Sequence, residues 1–311
     1  MFGGVMIVKR FYRVILACFT LTFCLVSCGK TGSDNNGKIS VVATIFPAYD
    51  FARHVCGESG EVTMLLPPGS ESHSYEPTAQ DILKIQNCDL FIYTGGESDV
   101  WVDKILHSMD RKINTLKMMD CVSVIEEEHA EEEEELEFDE HVWTSPTNAV
   151  QIIEQIKNRL CEIDSAQKDL YAEKAASYIT EINQLDRDFR EFFDTVENKI
   201  LIFGDRFPLL YFTNEYGLEH YAAFPGCAEH TEPSATTIAS LIQKIKENNL
   251  TTVYYIEFSS HNIADSIANA TGADTALFYT CHNVSKQQFS QGVTYVSLMR
   301  ENLSMLKSTM H

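Results

Sequence analysis

DSAQKDLYAEKAASYITEINQLDRDFREFFDTVEN, residues 164–198, is the longest periodic segment of the chain and organises the rest around it. Within it Tyr171, Ala175, Tyr178, Ile182, Leu185, Phe189, Phe192 and Val196 recur at alternating steps of four and three, with neither Gly nor Pro among them. Residues three and four apart share one face of an α-helix, so the segment is predicted to be a single amphipathic helix of roughly 50 Å at 1.5 Å per residue. Ser165 is its expected N-cap. A stripe of this kind is a packing face. A coiled-coil dimer would need paired flanking charges sustained over more heptads, so the helix is read as a rigid rod lying along two lobes.

On either side of the rod, strand and helix signals alternate. Before it, residues 39–46 form an apolar run that Pro47 ends, 49–56 suit a helix, and 61–66 read as a strand stopped by Pro67-Pro68-Gly69. Pro77-Thr78 opens a helix with Ile82, Leu83 and Ile85 on its apolar side, and a buried strand follows at 89–94. Residues 99–109 form an amphipathic helix with Trp101, Ile105 and Leu106 inward, and Pro146 begins another helix. After the rod, strands are expected at 199–203, 221–224, 251–256 and 275–279, and helices at 208–215, 234–248, 262–270 and 295–306. The fold class is therefore α/β, two lobes each with a mainly parallel sheet flanked by helices, joined by one long rigid helix. The expected boundaries are a leader at 1–27, a tether at 28–38, an N-terminal lobe at 39–163, the connecting helix at 164–198 and a C-terminal lobe at 199–311. Ligand loops would converge where strand ends of the two lobes face each other.

The N-terminus indicates export. Lys9, Arg10 and Arg13 precede an apolar run, residues 14–26, that is shorter than the roughly 20 residues of a spanning helix and has the layout of a secretory signal. Its end, Leu25-Val26-Ser27-Cys28, resembles the lipobox of bacterial lipoproteins, which implies cleavage before Cys28 and acylation of its thiol. Residues 30–38 are rich in Gly, Ser and Asn and read as a flexible tether. The whole-chain charge of -21 becomes -24 without Lys9, Arg10 and Arg13. Such a surface repels phosphate backbones, which excludes nucleic acid as a partner, and attracts cations. Six cysteines lie beyond Cys28, and of these Cys227 and Cys281 fall in loops of the C-terminal half where they can pair. The alternative is that most are small buried apolar residues.

Two histidines stand in loops rather than on apolar stripes, His73 in Ser72-His73-Ser74-Tyr75-Glu76-Pro77-Thr78 and His141 in Asp139-Glu140-His141-Val142-Trp143. Imidazoles and carboxylates gathered from distant loops suit zinc, and a closed set of four binds an ion rather than using it for catalysis. A metallohydrolase would need an open coordination position and a general base. Glu257 or Glu229 offers one, but no His-Glu-x-x-His spacing occurs, so no enzyme activity is expected.

Residues 69–78, residues 139–146 and Gly95-Gly96-Glu97 resemble the metal-binding lipoproteins that feed zinc or manganese to bacterial ABC importers, the cluster 9 or cluster A-I substrate-binding proteins. The likeness covers nearly all of 39–306, long helix included. It implies that His73 and His141 are the first two metal ligands. The third ligand position falls by count on Arg206, which cannot ligate a cation, so the neighbouring Asp205 is expected there, with Glu229, His230 and His220 as competitors. His282 matches the fourth position, with Cys281 as an alternative soft ligand unless it pairs with Cys227, and Glu257 resembles a carboxylate at the cleft floor that either ligates or hydrogen-bonds to backbone. Three imidazoles and one carboxylate favour zinc (Zn2+) over manganese (Mn2+), which prefers more oxygen ligands. The acidic run 126–140, with His129 inside it, resembles in position the His- and acid-rich loop of the zinc-binding members. The resemblance thus implies a monomeric, extracytoplasmic zinc-binding component, lipid-anchored to the bacterial cell membrane. Its partners would be an ABC permease and its ATPase. A manganese importer component or a surface adhesin of the same fold is the alternative.

Overall fold

The apolar runs around the rod fold into two four-stranded sheets. The computed structural model describes residues 37–127, 137–224 and 233–310, which belong to one compact unit beginning at Gly37. The first sheet holds β1 (Ile39–Ala43), β2 (Gly60–Met64), β3 (Leu90–Tyr93) and β4 (Thr115–Lys117) in the order β2-β1-β3-β4. The second holds β5 (Ile200–Phe203), β6 (Glu219–Ala222), β7 (Thr252–Ile256) and β8 (Asp274–Phe278) in the order β6-β5-β7-β8. All pairings in both sheets are parallel. The inner strands are buried on both faces, as Leu90, Phe91 and Ile92 or Leu201, Ile202 and Phe203 show, which is why they read as unbroken apolar runs. Strand order reverses between β1 and β3 and again between β5 and β7, so each sheet has a switch point at its carboxyl edge where a ligand crevice forms.

Ten α-helices are assigned among the described residues: α1 (Phe46–Cys56), α2 (Ala79–Asn87), α3 (Val100–Ser108), α4 (Pro146–Ile163), α5 (Lys168–Phe193), α6 (Leu210–Tyr216), α7 (Ala235–Glu247), α8 (Asn262–Thr271), α9 (Lys286–Ser290) and α10 (Tyr295–Thr309). Pro47 does more than end the first strand. It occupies the first turn of α1, where its missing N–H is unneeded, and the helix begins earlier than the sequence pattern suggested. The edge strand β4 was not anticipated, since three residues are too few to show a period.

The rod is α5, 26 residues and so about 39 Å long. It is shorter than expected at both ends. Ser165 does not cap it: residues Ser165–Gln167 form a separate 3-10 turn and Gln167 takes the N-cap position without a side-chain bond. At the far end Thr195 and Val196 bond three residues back, to the carbonyls of Phe192 and Phe193, so the helix tightens and stops. Phe193 rather than Phe192 therefore completes the buried stripe of Tyr171, Ala175, Tyr178, Ile182, Leu185 and Phe189.

One hydrophobic cluster takes in residues of both sheets, α4, the whole stripe of α5 and α10. Smaller clusters lie around Val42, Phe91 and Val102 in the first lobe and around Ile202, Val253 and Ile267 in the second. A shared core of this size leaves little freedom for a wide hinge, because packed interiors resist gradual deformation.

Candidate metal centre

His73, Asp205, Glu257 and His282 follow the carboxyl ends of β2, β5, β7 and β8, and His141 lies in the segment after β4, whereas His220 lies within β6, so the topology brings most of the candidate ligands to strand ends. His73 lies in the loop after β2. Gly69, at φ +83°, turns that loop, and Ser70 N–H closes it onto the Pro67 carbonyl at 3.0 Å. The loop is then pinned from the other lobe: the Asn283 side-chain amide donates to the carbonyls of Pro67 and Ser70 at 2.8 and 2.9 Å, and Gly69 N–H donates to the Val284 carbonyl at 2.8 Å. His282 precedes Asn283 in that same pinning segment, after β8. Cys281 before it adopts φ +64°, a left-handed conformation unusual for a side-chain-bearing residue and the kind of local strain that clusters at functional sites. The His282 carbonyl accepts from Phe46 N–H at 3.2 Å, and its ring meets Trp143 edge-on at 4.7 Å between centroids. Trp143 is itself held by its indole N–H on the Thr280 carbonyl at 2.9 Å.

His141 enters from the segment after β4, just ahead of the Ser145 cap and Pro146 that start α4. Asp139 Oδ1 accepts from the His141 backbone N–H at 2.7 Å and stands 3.0 Å from Nδ1. A proton on Nδ1 shared with that carboxylate leaves the Nε2 lone pair for a metal. The backbone at His141, φ -80° and ψ 42°, lets Val142 N–H reach the Glu140 carbonyl at 2.8 Å, an inverse γ-turn. That turn brings the Glu140 and His141 side chains toward one centre.

His73, Glu140, His141 and His282 offer one ligand atom each, and these four atoms all lie within 4.8 Å of one another. Tetrahedral zinc with bonds near 2.1 Å separates its ligands by about 3.4 Å, so a small contraction would close the set around an ion. Beside it a cavity of about 20 Å³, lined by Glu71, His73, Arg206, Glu257 and His282 among others, has room for about one water. Burial foremost, with the charge of His141 next, pulls the His73 pKa down to about 4. Burial likewise drives His282 well below the ordinary imidazole value, and burial raises Glu140. The two rings are therefore held neutral, the form that binds metal.

Asp205 lies outside this group. Its carboxylate turns back into the protein, Oδ2 accepting from Ile256 N–H at 3.1 Å and Oδ1 from Arg206 N–H at 2.8 Å, so it fastens the β5 loop to the end of β7. Arg206 pairs across the cleft with Glu71 at 3.0 Å. Glu257 takes the hydrogen-bonding alternative: its oxygens accept from the Thr280 N–H and hydroxyl, each at 2.7 Å, and burial raises its pKa to about 7. His220 stacks on Phe207 with ring centroids 3.9 Å apart. Cys281 is buried and carries a free thiol, while Cys227, Glu229 and His230 lie outside the described residues, as do His129, most of the acidic run, the leader and Cys28. Only the base of the acidic run is described, where Glu126 and Phe138 form an antiparallel bridge.

Glu140 is the group that sequence reasoning missed. In the sequence it is the last member of the acidic run 126–140, yet it is 6% exposed. Its place is made by Gly96. A Cβ there would stand 2.5 Å from Glu140 Oε2 and 2.7 Å from Glu140 Cβ, and φ is +75°. Gly96→Ala is expected to weaken metal binding by at least about tenfold on displacing this candidate ligand. Gly292→Ala carries similar backbone strain at φ +71° with nothing within 4 Å, and should leave affinity unchanged. Zinc competition titration of both variants checks this, and equal affinities would refute it.

Comparison with known proteins gives the chain its relatives. It is 33% identical over 316 residues to the high-affinity zinc uptake system protein ZnuA of Bacillus subtilis, covering 96% of each chain. It is 31% identical over 305 residues to the zinc-binding lipoprotein AdcA of Streptococcus pneumoniae, covering 95% of this chain and 60% of that one. This chain thus spans about three-fifths of the AdcA relative's length. Its fold superimposes on the Zn(II)-bound ZnuA-like domain of Streptococcus pneumoniae AdcA with a TM-score of 0.75 at 30% identity, covering 88% of this chain and 99% of that domain. Residues 41–309 match the family model described as zinc-uptake complex component A, periplasmic, and the chain belongs to that family of substrate-binding transport proteins.

Proposed function

We propose that this protein is the extracytoplasmic zinc-binding component of an ABC importer, holding one zinc ion between its lobes and delivering it to a membrane permease driven by an ATPase. The observation that carries the reading is the convergence of three imidazoles and one carboxylate, with ligand atoms within 4.8 Å of one another. Four protein ligands fill a tetrahedral shell and leave no open position for a reacting water, which suits capture rather than hydrolysis. The nitrogen-rich set favours zinc over manganese, and the relatives named above are zinc proteins by name. Residues 1–27 would direct export, Cys28 would carry the lipid, and residues 28–38 would tether lobes at 39–163 and 199–311 linked by the 164–198 segment. The body would act as a monomer, and its acidic surface would concentrate cations near the cleft.

The test is bound-metal quantification with zinc and manganese in competition on residues 37–311. One tightly held zinc is the expected result. Manganese outcompeting zinc would overturn the choice of ion, and no stoichiometric metal would overturn the reading.

Acidification supplies a second check. Ordinary imidazoles near pKa 6.5 would each lose about tenfold in metal affinity by pH 5.5, or about a hundredfold for two. His73, lowered to about 4, and His282, also lowered, stay deprotonated there, so protons do not compete for them. The sign is that affinity survives mild acid and collapses only as the pH nears the depressed values. Glu140, raised by burial, works in the opposite direction and takes up its proton at a higher pH than an ordinary carboxyl. Zinc affinity measured between pH 7.5 and 5.5 should therefore fall by no more than about tenfold. A hundredfold fall would mean the rings are protonated in that range.

A further inference from the structure

Ser98 touches two of the four converging groups at once. It stands in the 3-10 turn Glu97–Asp99 after β3, away from the segments that carry those groups. Its backbone N–H donates to Glu140 Oε2 at 3.0 Å and its hydroxyl donates to Glu140 Oε1. The same hydroxyl oxygen lies 2.9 Å from His73 Nδ1. A hydroxyl has one proton to give. With that proton on the carboxylate, the Ser98 oxygen is left as an acceptor and His73 must donate through Nδ1–H, which frees Nε2 as the ligand atom.

We propose that Ser98 is a positioning residue that cross-links Glu140 to His73, fixing the carboxylate's orientation and the imidazole's tautomer before the ion arrives. This inference rests on the ligand set given under the proposed function. The turn that carries Ser98 is itself rigid: Asp99, buried beside it, accepts from Thr94 and Gly95 N–H at 2.7 and 3.1 Å. With the serine in place the two groups make no direct hydrogen bond, since His73 Nδ1 and Glu140 Oε1 are 3.6 Å apart, beyond hydrogen-bond reach. An alanine at 98 keeps the backbone bond to Oε2 and loses both hydroxyl bonds, so the variant removes only the bridge. Groups that orient metal ligands in this way typically contribute 10–100-fold in affinity.

The test compares the full chain with its Ser98→Ala, Ser98→Thr, Glu140→Gln and Ser98→Ala/Glu140→Gln forms, with cobalt(II) as a spectroscopic probe and zinc in competition. Ser98→Ala is expected to take up one equivalent of either metal with roughly 10–100-fold weaker affinity and an altered visible cobalt band, while the metal-free protein still unfolds in one cooperative transition. Ser98→Thr, which restores the hydroxyl, should return affinity and band toward wild type. In the Glu140→Gln background the alanine should cost clearly less than it does alone, because both changes act on one linkage. A Ser98→Ala protein with wild-type affinity and spectrum overturns the role of Ser98 alone. A wild-type chain that binds neither cobalt nor zinc overturns the ligand set itself.

Discussion

Glu140→Gln is expected to weaken zinc binding by roughly a hundredfold to a thousandfold, about 2.7–4 kcal/mol, while Asp205→Asn changes it by less than about threefold. The contrast follows from where the two carboxylates lie, since Glu140 is among the converging groups and Asp205 is not. Glu140 is buried and gathered with three imidazoles, its ligand atom within 4.8 Å of theirs, and Ser98 donates to both of its oxygens. Replacing it with the amide keeps the shape but removes the negative charge that offsets a divalent cation in a poorly solvated pocket, where charge counts for far more than in water. Asp205 has both oxygens engaged by backbone N–H groups of Arg206 and Ile256. Its amide retains one acceptor, so the β5 loop loses part of one fastening and the metal set is untouched. Isothermal titration or zinc competition on both variants decides the matter, and the reverse ranking would restore Asp205 as the oxygen ligand. His73→Ala, His141→Ala and His282→Ala should each resemble Glu140→Gln.

The lobes and the rod were legible in the sequence because they rest on long periodic patterns. The stripe from Tyr171 to Phe189 is buried as its spacing predicts, and the apolar runs around it became inner strands of parallel sheets. The ends of the rod were not legible, because a 3-10 turn at Ser165 and the tightening after Phe193 depend on local hydrogen bonds that hydrophobic periodicity does not encode. At the site, the structure brings His73, His141 and His282 together, residues whose loop positions could be read directly. Asp205 was inferred from an offset of one residue, and one residue is enough to turn a side chain from a cleft to a neighbouring strand end. Glu140 was hidden for a different reason. Next-door residues usually diverge, and only the inverse γ-turn at His141 aims both inward. The glycine at 96 carried a usable hint, since a Gly-Gly pair before an acidic turn marks close backbone approach, but it did not say to what.

The structural counterpart of the metal centre is Asp50, and Asp50→Ala is expected to destabilise the metal-free protein by roughly 3–5 kcal/mol, lowering its unfolding midpoint by about 10 °C. Asp50 is fully buried in α1. Its Oδ1 accepts from Arg53 Nε at 2.8 Å and pairs with Nη2 at 2.7 Å, while Oδ2 accepts from the Tyr178 hydroxyl and from Tyr295 N–H at 3.0 Å. One carboxylate thereby joins α1, the rod and the first turn of α10, whose free N–H groups and dipole favour an anion at that end. Truncation leaves a phenol and a backbone N–H buried without their acceptor and an arginine without its partner, and these penalties add to the loss of the bonds themselves. Asp50→Asn keeps an acceptor for part of this set and should cost less, about 1–2 kcal/mol. Metal must be removed before comparison, because a ligand that binds only the folded state raises apparent stability by mass action and would mask the difference. Chemical denaturation of the metal-free variants reads the effect. A loss below about 1 kcal/mol for Asp50→Ala would mean that water or a shift of α10 satisfies the stranded groups, and that the shared apolar core alone holds rod and lobes together.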